Sequence, residues 1–294
     1  MIAIVVVLVI ILACGLLGAF YIGRVPLGEP KLRIELYPPV LEDLDIDGTA
    51  KIRDQAGIRI WQGANNRVSR CRIRKVGFGV LLSNPWDGPY LCKGNIIEGC
   101  DIHHVYVGIY LLNRCDKGIL RANHCHETEP EDASYVGKDG ILIESCSHVL
   151  VEGNICDNNE EHGIYLAVSS SADVGSEHVC IVGNILYNNK QVGIHLNGQA
   201  SMKIRKCTVT GNVCAFSQQA RGIELDSYCE GNTVTGNAVF RNSLFGILET
   251  PGQNDYNAIV ASASTQNGSA EGDQISKAGT NSFEEDNIKI YLWT

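Results

Sequence analysis

A four-residue pattern recurs through most of this chain: a glycine, an apolar residue, any residue and a second apolar residue. Eight segments follow it, the last with Glu249 at its fourth position, and they begin at Gly57, Gly79, Gly108, Gly140, Gly163, Gly193, Gly222 and Gly246. The seven intervals from the first glycine to the last span 189 residues, or 27 residues each. A fixed period of about 20 to 50 residues is typical of proteins built from stacked repeats, so this feature constrains the fold most.

A second series, built on asparagine, is interleaved with the first. Its members mostly follow a glycine, and they are Asn95, Asn123, Asn154, Asn184, Asn212 and Asn237. Both series show the period-two alternation of strands and no helical period. We expect each repeat to be one coil of three short strands, with coils stacked about 4.8 Å apart. The asparagines would share one bend, hydrogen-bond along the stack and adopt its left-handed backbone conformation.

The predicted fold class is all-β: a single-stranded right-handed parallel β-helix of about eight coils, preceded by an N-terminal transmembrane helix. The predicted divisions are a transmembrane anchor or signal segment over 1–23, a linker and N-terminal cap over 24–50, the β-helix over 51–262 and a C-terminal cap over 263–294. The first segment carries no charged side chain before Arg24 and lacks the basic start of a signal peptide, which favours an uncleaved anchor over secretion.

Composition excludes some partners. The net charge is −9, with 24 basic against 33 acidic residues, so nucleic acid is not an expected partner. The 12 cysteines are scattered without disulfide-scaffold or zinc-site spacing, which predicts that they pack as small apolar residues.

No cofactor or metal is predicted. Ca²⁺ remains an alternative at the acidic loop of Glu127, Glu129, Glu131 and Asp132, which lacks the usual ligand spacing. His103, His104, His124 and His126 suggest a metal only by their number, because they are expected on different strands.

Three stretches resemble one known family: Glu161 to Leu166, Val182 to Asn189 and Gly193 to Asn197. They are similar to the pectate-lyase-like superfamily, in particular its right-handed parallel β-helix repeat proteins, and the resemblance covers residues 51–260. It implies a carbohydrate-active protein, because members include polysaccharide lyases, glycoside hydrolases and uronan C5-epimerases. The chain lacks the polygalacturonase motifs and the Asp-Pro-His motif of alginate epimerases, so no catalytic residue is carried over.

A candidate site follows from the residues that the repeat strands direct outward. Tyr165, His195 and Glu224 occupy the same position on three successive coils, which predicts a stack with His195 as general base, Glu224 as its orienting partner and Tyr165 as acid. Long connections at 127–138, 167–177 and 197–203 would wall this face. The predicted substrate-binding residues are Tyr110, Lys138, Asp139, Glu144, Asn197, Arg221 and Asp226. His162 is interpreted as a turn residue.

The predicted function is that of a uronan lyase or epimerase acting on a polysaccharide. We expect the protein to be membrane-anchored or secreted, with the β-helix outside the cytoplasm. One alternative is a hydrolase that uses Glu224 and Asp226, since hydrolysis needs two carboxyl groups. The other is a non-catalytic solenoid that binds glycan or serves a structural role.

Overall fold

The computed structural model describes residues 6–10, 21–25, 40–48, 55–84, 92–129, 137–169, 174–268, 275–276, 279, 282–285 and 288–290. Within these ranges all regular secondary structure is β. Each coil contributes one strand to each of three long sheets, and every pairing within these sheets is parallel.

The first sheet has nine strands, and eight of them carry the glycine repeats. These strands are Ala56–Trp61, Phe78–Ser83, Val107–Leu112, Ile141–Glu144, Ile164–Ala167, Ile194–Asn197, Ile223–Leu225, Ile247–Glu249 and Ile275–Ser276. The second sheet has ten strands: Asp45–Asp47, Arg72–Arg74, Asp101–His103, His124–His126, Ile155–Asp157, Ile185–Tyr187, Val213–Ala215, Ala238–Phe240, Ala263–Thr265 and Ile288–Ile290.

The third sheet also has ten strands: Val40–Glu42, Arg67–Ser69, Ile96–Glu98, Ile119–Arg121, Leu150–Glu152, Cys180–Val182, Thr208–Thr210, Thr233–Thr235, Ala258–Val260 and Phe283–Glu285. A short fourth sheet contains Ser176–Glu177, Ile204–Arg205 and Cys229–Glu230. Stacked strands therefore lie on both sides of the predicted boundaries at residues 51 and 262.

Close stacking explains the glycine repeat. A Cβ atom added to Gly163 would lie 2.7 Å from the carbonyl oxygen of Gly193, and one added to Gly193 would lie 2.6 Å from that of Gly222. Real Cβ contacts are longer, so a side chain here would push adjacent coils apart. The repeat glycines from Gly57 to Gly222 are thus required for space, since the neighbouring backbone occupies the site of a Cβ.

The core consists of inward-facing aliphatic and thiol side chains in register. In the second sheet Cys125, Cys156 and Leu186 follow one another on successive coils and are fully buried. The described cysteines form no disulfide, and all except Cys180 are buried. They pack as small apolar residues.

The asparagine series forms the expected ladder, with two differences. The left-handed residue at the bend is the glycine before the asparagine, as at Gly183 with a φ of 63°, so the predicted left-handed asparagine was wrong. Asn95 also lies at another corner, before the third-sheet strand Ile96–Glu98 instead of after such a strand. At the bend after Ile96–Glu98, Cys100 occupies the position that asparagine takes in later coils. Its backbone N–H donates to Oδ1 of Asn123 at 3.0 Å.

The predicted transmembrane helix over 1–23 is not supported. Its described part contains strand Val6–Ile10, which pairs antiparallel with Tyr21–Val25; residues 1–5 and 11–20 lie outside the described ranges. Valine and isoleucine favour strands, and an uninterrupted apolar run has no periodicity that separates a strand from a helix. In the described part of the chain, no helix has the length and apolarity needed to cross a membrane.

Candidate active site

The predicted outward stack forms on the first sheet. Tyr165 pairs in register with His195, which pairs with Glu224 on the next coil. The rings of Tyr165 and His195 are parallel to within 9°, with centroids 4.9 Å apart. His195 and Glu224 are only 8% and 6% exposed, because this outer face carries side-chain packing of its own and is not a solvated surface.

His162 completes the stack, and the sequence interpretation of it as a turn residue missed this role. Its Nδ1 accepts a hydrogen bond from the backbone N–H of Val192 at 3.2 Å. A neutral His162 therefore carries its proton on Nε2, which lies 3.2 Å from Nδ1 of His195 and donates to it. Burial lowers the pKa of His162 well below its usual value, and this keeps the ring neutral.

The same hydrogen bond sets the tautomer of His195. Because Nδ1 accepts from His162, a neutral His195 carries its proton on Nε2. This nitrogen lies 3.6 Å from Oδ2 of Asp226, and the interaction with His195 is the largest of the causes that lower the pKa of Asp226. The carboxylate nearest His195 is thus Asp226, although Glu224 was predicted as the orienting partner.

Glu224 instead faces Arg221, whose Nη1 lies 3.4 Å from the carboxylate. Burial raises the pKa of Glu224, while the nearby His195 and Arg221 oppose the rise. Glu224 and Asp226 lie two residues apart on one strand, and their pKa values shift in opposite directions. The two neighbouring carboxyl groups therefore differ in proton affinity, and acid–base catalysis uses a difference of this kind.

A further buried carboxyl group lies beneath His162. Asp139 is fully buried, and its Oδ1 accepts the backbone N–H of His162 at 3.1 Å. Desolvation, with the charge of Glu161 as a second cause, raises the pKa of Asp139 well above its usual value. The backbone N–H of the adjacent Lys138 is bound by Glu161 at 3.1 Å. Asp139 therefore positions the backbone of His162, and its burial favours the protonated form of the carboxyl group.

The remaining predicted residues divide between the stack and earlier coils. The Asn197 amide donates to the phenol oxygen of Tyr165 at 3.3 Å, and burial raises the pKa of Tyr165 to about 12. Tyr110 donates a hydrogen bond to Glu144, but Leu142 separates Tyr110 from Tyr165 in the column. Asn197, Arg221 and Asp226 thus surround the stack, whereas Tyr110 and Glu144 form a separate pair.

The surroundings of this face are only partly described. Residues 130–136 and 170–173, which include Glu131 and Asp132 of the acidic loop, lie outside the described ranges. A cavity of about 320 Å³ lies beside the short fourth sheet, away from the stack. It is lined by Ser147, Val174, Gly175, Glu177, Ser201, Met202, Lys203 and Arg205.

Comparison with known proteins shows the architecture. A family model described as "Right handed beta helix region" matches residues 56–220 and 171–288. The crystal structure of the periplasmic alginate epimerase AlgG is 15% identical, with a TM-score of 0.59, over 86% of this chain and 68% of that one. The A-module of the Azotobacter vinelandii mannuronan C-5 epimerase AlgE6 is 14% identical, with a TM-score of 0.55, over 85% and 80% of the two chains.

PfbA, a surface adhesin of Streptococcus pneumoniae, is 14% identical, with a TM-score of 0.53, over 76% of this chain and 59% of that one. No curated protein matches the chain. At these identities the structural likenesses concern the fold alone, which is shared by epimerases and an adhesin.

Proposed function

This chain belongs to the family of right-handed β-helix proteins, and on that premise we propose that it acts on a polysaccharide as a uronan lyase or epimerase. The observation that carries the proposal is the parallel stack of Tyr165 on His195, with the imidazole held between His162 and Asp226. The structural neighbours that are titled alginate and mannuronan epimerases support the substrate class.

Both reactions begin by removing the proton on the carbon next to the uronate carboxyl. The C–H electron pair remains on the sugar as an enolate, and the proton passes to His195. In a lyase, the bond to the leaving glycosidic oxygen then breaks and Tyr165 protonates that oxygen. In an epimerase, a proton must reach the opposite face of the carbon; because Tyr165 stacks on His195 on the same face of the sheet, solvent water supplies it. Tyr165 holds its proton at neutral pH because its pKa is about 12.

The proposal sets a condition on His195. Its Nδ1 lone pair binds His162 and its Nε2 carries a proton, so the free protein has no unoccupied base at this ring. Substrate binding must break the hydrogen bond from His162 before His195 can accept a proton. The positive charge of Arg221 would offset the negative charge of the uronate, and the Asn197 amide would donate a hydrogen bond to it.

The test is turnover of the full chain on polymannuronate, polygalacturonate and a neutral glucan. Absorbance reports the unsaturated uronate of a lyase, and NMR reports the inverted sugar of an epimerase. We expect Tyr165→Phe and His195→Gln to lower kcat by about 10² to 10⁴-fold, as loss of a proton-transfer group does. Tyr187→Phe, an exposed tyrosine of the second sheet, is the matched control. Wild-type turnover in both site variants would refute the assignment.

Hydrolysis is the second candidate, favoured by the opposite pKa shifts of Glu224 and Asp226. A hydrolase would release reducing ends without an unsaturated product, and Glu224→Gln would abolish that release. If the protein binds a polysaccharide and forms neither product, the remaining interpretation is a non-catalytic solenoid.

The proposal also locates the β-helix outside the cytoplasm, where polysaccharides of the cell surface occur. Protease treatment of intact cells tests this location. Digestion of the β-helix is expected, and complete protection until the cells are lysed would contradict it.

A further inference from the structure

A cluster of histidines lies on the outer face of the second sheet, on a different side of the solenoid from the stack. His103 and His126 face each other on adjacent coils, and the corner residues His104 and Glu127 lie one above the other. We call these four residues the histidine patch. These histidines lie on different strands and corners, as expected, but stacking brings His103 and His126, 23 residues apart in sequence, into register.

Carboxylates outside the patch determine which ring nitrogens carry protons. Nε2 of His104 lies 3.2 Å from Glu129, and Nε2 of His126 lies 3.0 Å from Asp101. A neutral ring that donates from Nε2 leaves its Nδ1 as a lone pair. Both rings therefore direct an unprotonated Nδ1 into the patch.

These lone pairs converge on a carboxylate that also has no proton to offer. Oε2 of Glu127 lies 3.5 Å from Nδ1 of His104 and 3.6 Å from Nδ1 of His126. Nδ1 of His103 lies 2.6 Å from Nδ1 of His104, so a neutral His103 that carries its proton on Nδ1 can donate it to His104. The electron pairs of Glu127 and of Nδ1 of His104 and His126 repel one another unless a positive charge lies between them. The charge is supplied either by protons on the imidazoles or by a metal ion.

The separations suit a shared metal ion. Ligands at about 2.0 to 2.1 Å from Zn²⁺ lie roughly 3.3 Å from each other; Oε2 of Glu127 lies 3.5 Å from Nδ1 of His104, and Nδ1 of His103 is closer to that nitrogen, at 2.6 Å. One ligand atom each from His103, His104 and Glu127 lies within 4.8 Å of the other two. We propose that these three residues of the histidine patch bind Zn²⁺, with His126 beside them.

The ligand chemistry distinguishes Zn²⁺ from Ca²⁺. Two imidazoles and one carboxylate suit Zn²⁺, whereas Ca²⁺ requires six or more oxygen ligands. Ligating histidines in zinc sites commonly donate their other N–H to a carboxylate, which fixes the ring and raises its basicity. Glu129 already holds His104 in this way.

The proposed ion would join two coils at the start of the connection that leads toward the stack. His104 belongs to one coil and Glu127 to the next. Thr128 follows Glu127, and its hydroxyl donates to the carbonyl oxygen of Lys138 at 2.6 Å. The metal would therefore fix this corner of the solenoid and have no role in proton transfer.

The experiment uses the full chain without a histidine tag, stripped with EDTA and titrated calorimetrically with Zn²⁺ at pH 7.5. One equivalent of Zn²⁺ is expected to bind, and Ca²⁺ is expected not to compete. His104→Ala and Glu127→Gln should each weaken Zn²⁺ affinity by at least tenfold, because each removes one ligand. His148→Ala is the control, since His148 is an exposed histidine that pairs with Asp116 elsewhere on the surface.

Thermal unfolding provides a second measurement. Saturating Zn²⁺ should raise the Tm of the wild-type and His148→Ala proteins and leave the Tm of His104→Ala unchanged. Absence of Zn²⁺ binding by the wild type would overturn the proposal and indicate protonated imidazoles. Equal weakening of binding by His148→Ala and His104→Ala would also overturn it, because the binding would then be nonspecific.

Discussion

Asn184 shows at the scale of one residue how the coils are held together. Its Oδ1 accepts both the backbone and the side-chain N–H of Asn154, at 2.8 and 2.9 Å. Its Nδ2 donates to the carbonyl oxygen of Val151 and to Oδ1 of Asn212, each at 3.0 Å. The side chain is fully buried, so these hydrogen bonds replace all contact with water.

Replacement of Asn184 with leucine should destabilise the protein by at least about 3 kcal/mol. The substitution keeps the volume but removes the acceptor of the buried Asn154 backbone N–H, and such a group costs about 1 to 3 kcal/mol when unsatisfied. It also removes one hydrogen bond each from Nδ2 of Asn154, the carbonyl oxygen of Val151 and Oδ1 of Asn212, at about 1 kcal/mol each. Urea unfolding followed by circular dichroism measures the loss. Gln219→Ala, which removes an exposed amide, should change stability by no more than about 0.5 kcal/mol. Equal stability of the two variants would contradict a structural role for the ladder.

The repeat could be predicted from sequence because its causes are local and recur in every coil. Gly163 is required by a neighbouring backbone, and the same contact recurs at the other repeat glycines as far as Gly222. The tautomer of His195 could not be predicted, since it depends on His162, 33 residues away, and on a hydrogen bond from the backbone of Val192. Nothing in the sequence distinguishes a corner histidine that only turns the chain from one whose ring hydrogen-bonds to another histidine.

At the scale of elements, the outer face of the first sheet differs from an ordinary solvated sheet. Phe78, Leu81, Val107 and Leu142 form a second apolar cluster there, outside the solenoid core. Asp139 and Glu224 lie buried on the same side of the molecule, and desolvation raises the pKa of each. The period-two pattern predicts which residues face outward but not whether other side chains cover them. The column therefore follows the predicted register, but His195 and Glu224 are more buried than residues of a solvated strand.

The buried Asp139 should make stability fall as pH rises. An unfolded aspartate loses its proton near pH 3.8, whereas the folded state keeps the proton to higher pH. The folded state therefore binds more protons above pH 3.8, and stability declines toward the folded pKa by up to about 1.4 kcal/mol per pH unit. Asp139→Asn should remove this decline, because the amide oxygen still accepts the N–H of His162 and the side chain does not ionise.

Urea unfolding of the wild type and Asp139→Asn between pH 4 and pH 8 tests this expectation. The variant's advantage in free energy of unfolding should grow with pH. Glu152→Gln, which alters an exposed carboxylate of the third sheet, is the control and should show a constant difference. A constant difference for Asp139→Asn as well would mean that Asp139 is ionised in the folded protein.

At the scale of the whole molecule, stability accumulates from contacts between adjacent coils, so the ends of the stack need protection. Glu249 shows how the C-terminal end is held. It occupies an inward position that the repeat gives to an apolar residue, and it is fully buried. Its carboxylate accepts hydrogen bonds from the Ser282 hydroxyl at 2.8 Å, the Gly279 N–H at 2.9 Å and the Asn257 amide at 2.8 Å.

Deletion of residues 263–294 should therefore destabilise the protein through two effects. It removes Gly279 and Ser282, two of the three donors to the buried carboxylate of Glu249 described above, and the loss of hydrogen bonds to a buried polar group is destabilising. It also exposes the edge of strand Ala238–Phe240, which promotes association between copies. Deletion of residues 291–294 alone is the matched control.

Glu249→Leu separates these two effects. In the shortened chain the substitution restores the apolar pattern and removes the buried carboxylate that has lost two donors, so it should recover part of the lost Tm without preventing association. In the full chain the same substitution leaves Gly279 and Ser282 without their acceptor and should lower the Tm, by about 2 to 4 °C for each kcal/mol lost. Thermal unfolding and light scattering after size-exclusion chromatography measure both effects. A shortened chain that stays monomeric with an unchanged Tm would show that the C-terminal strands do not protect the stack.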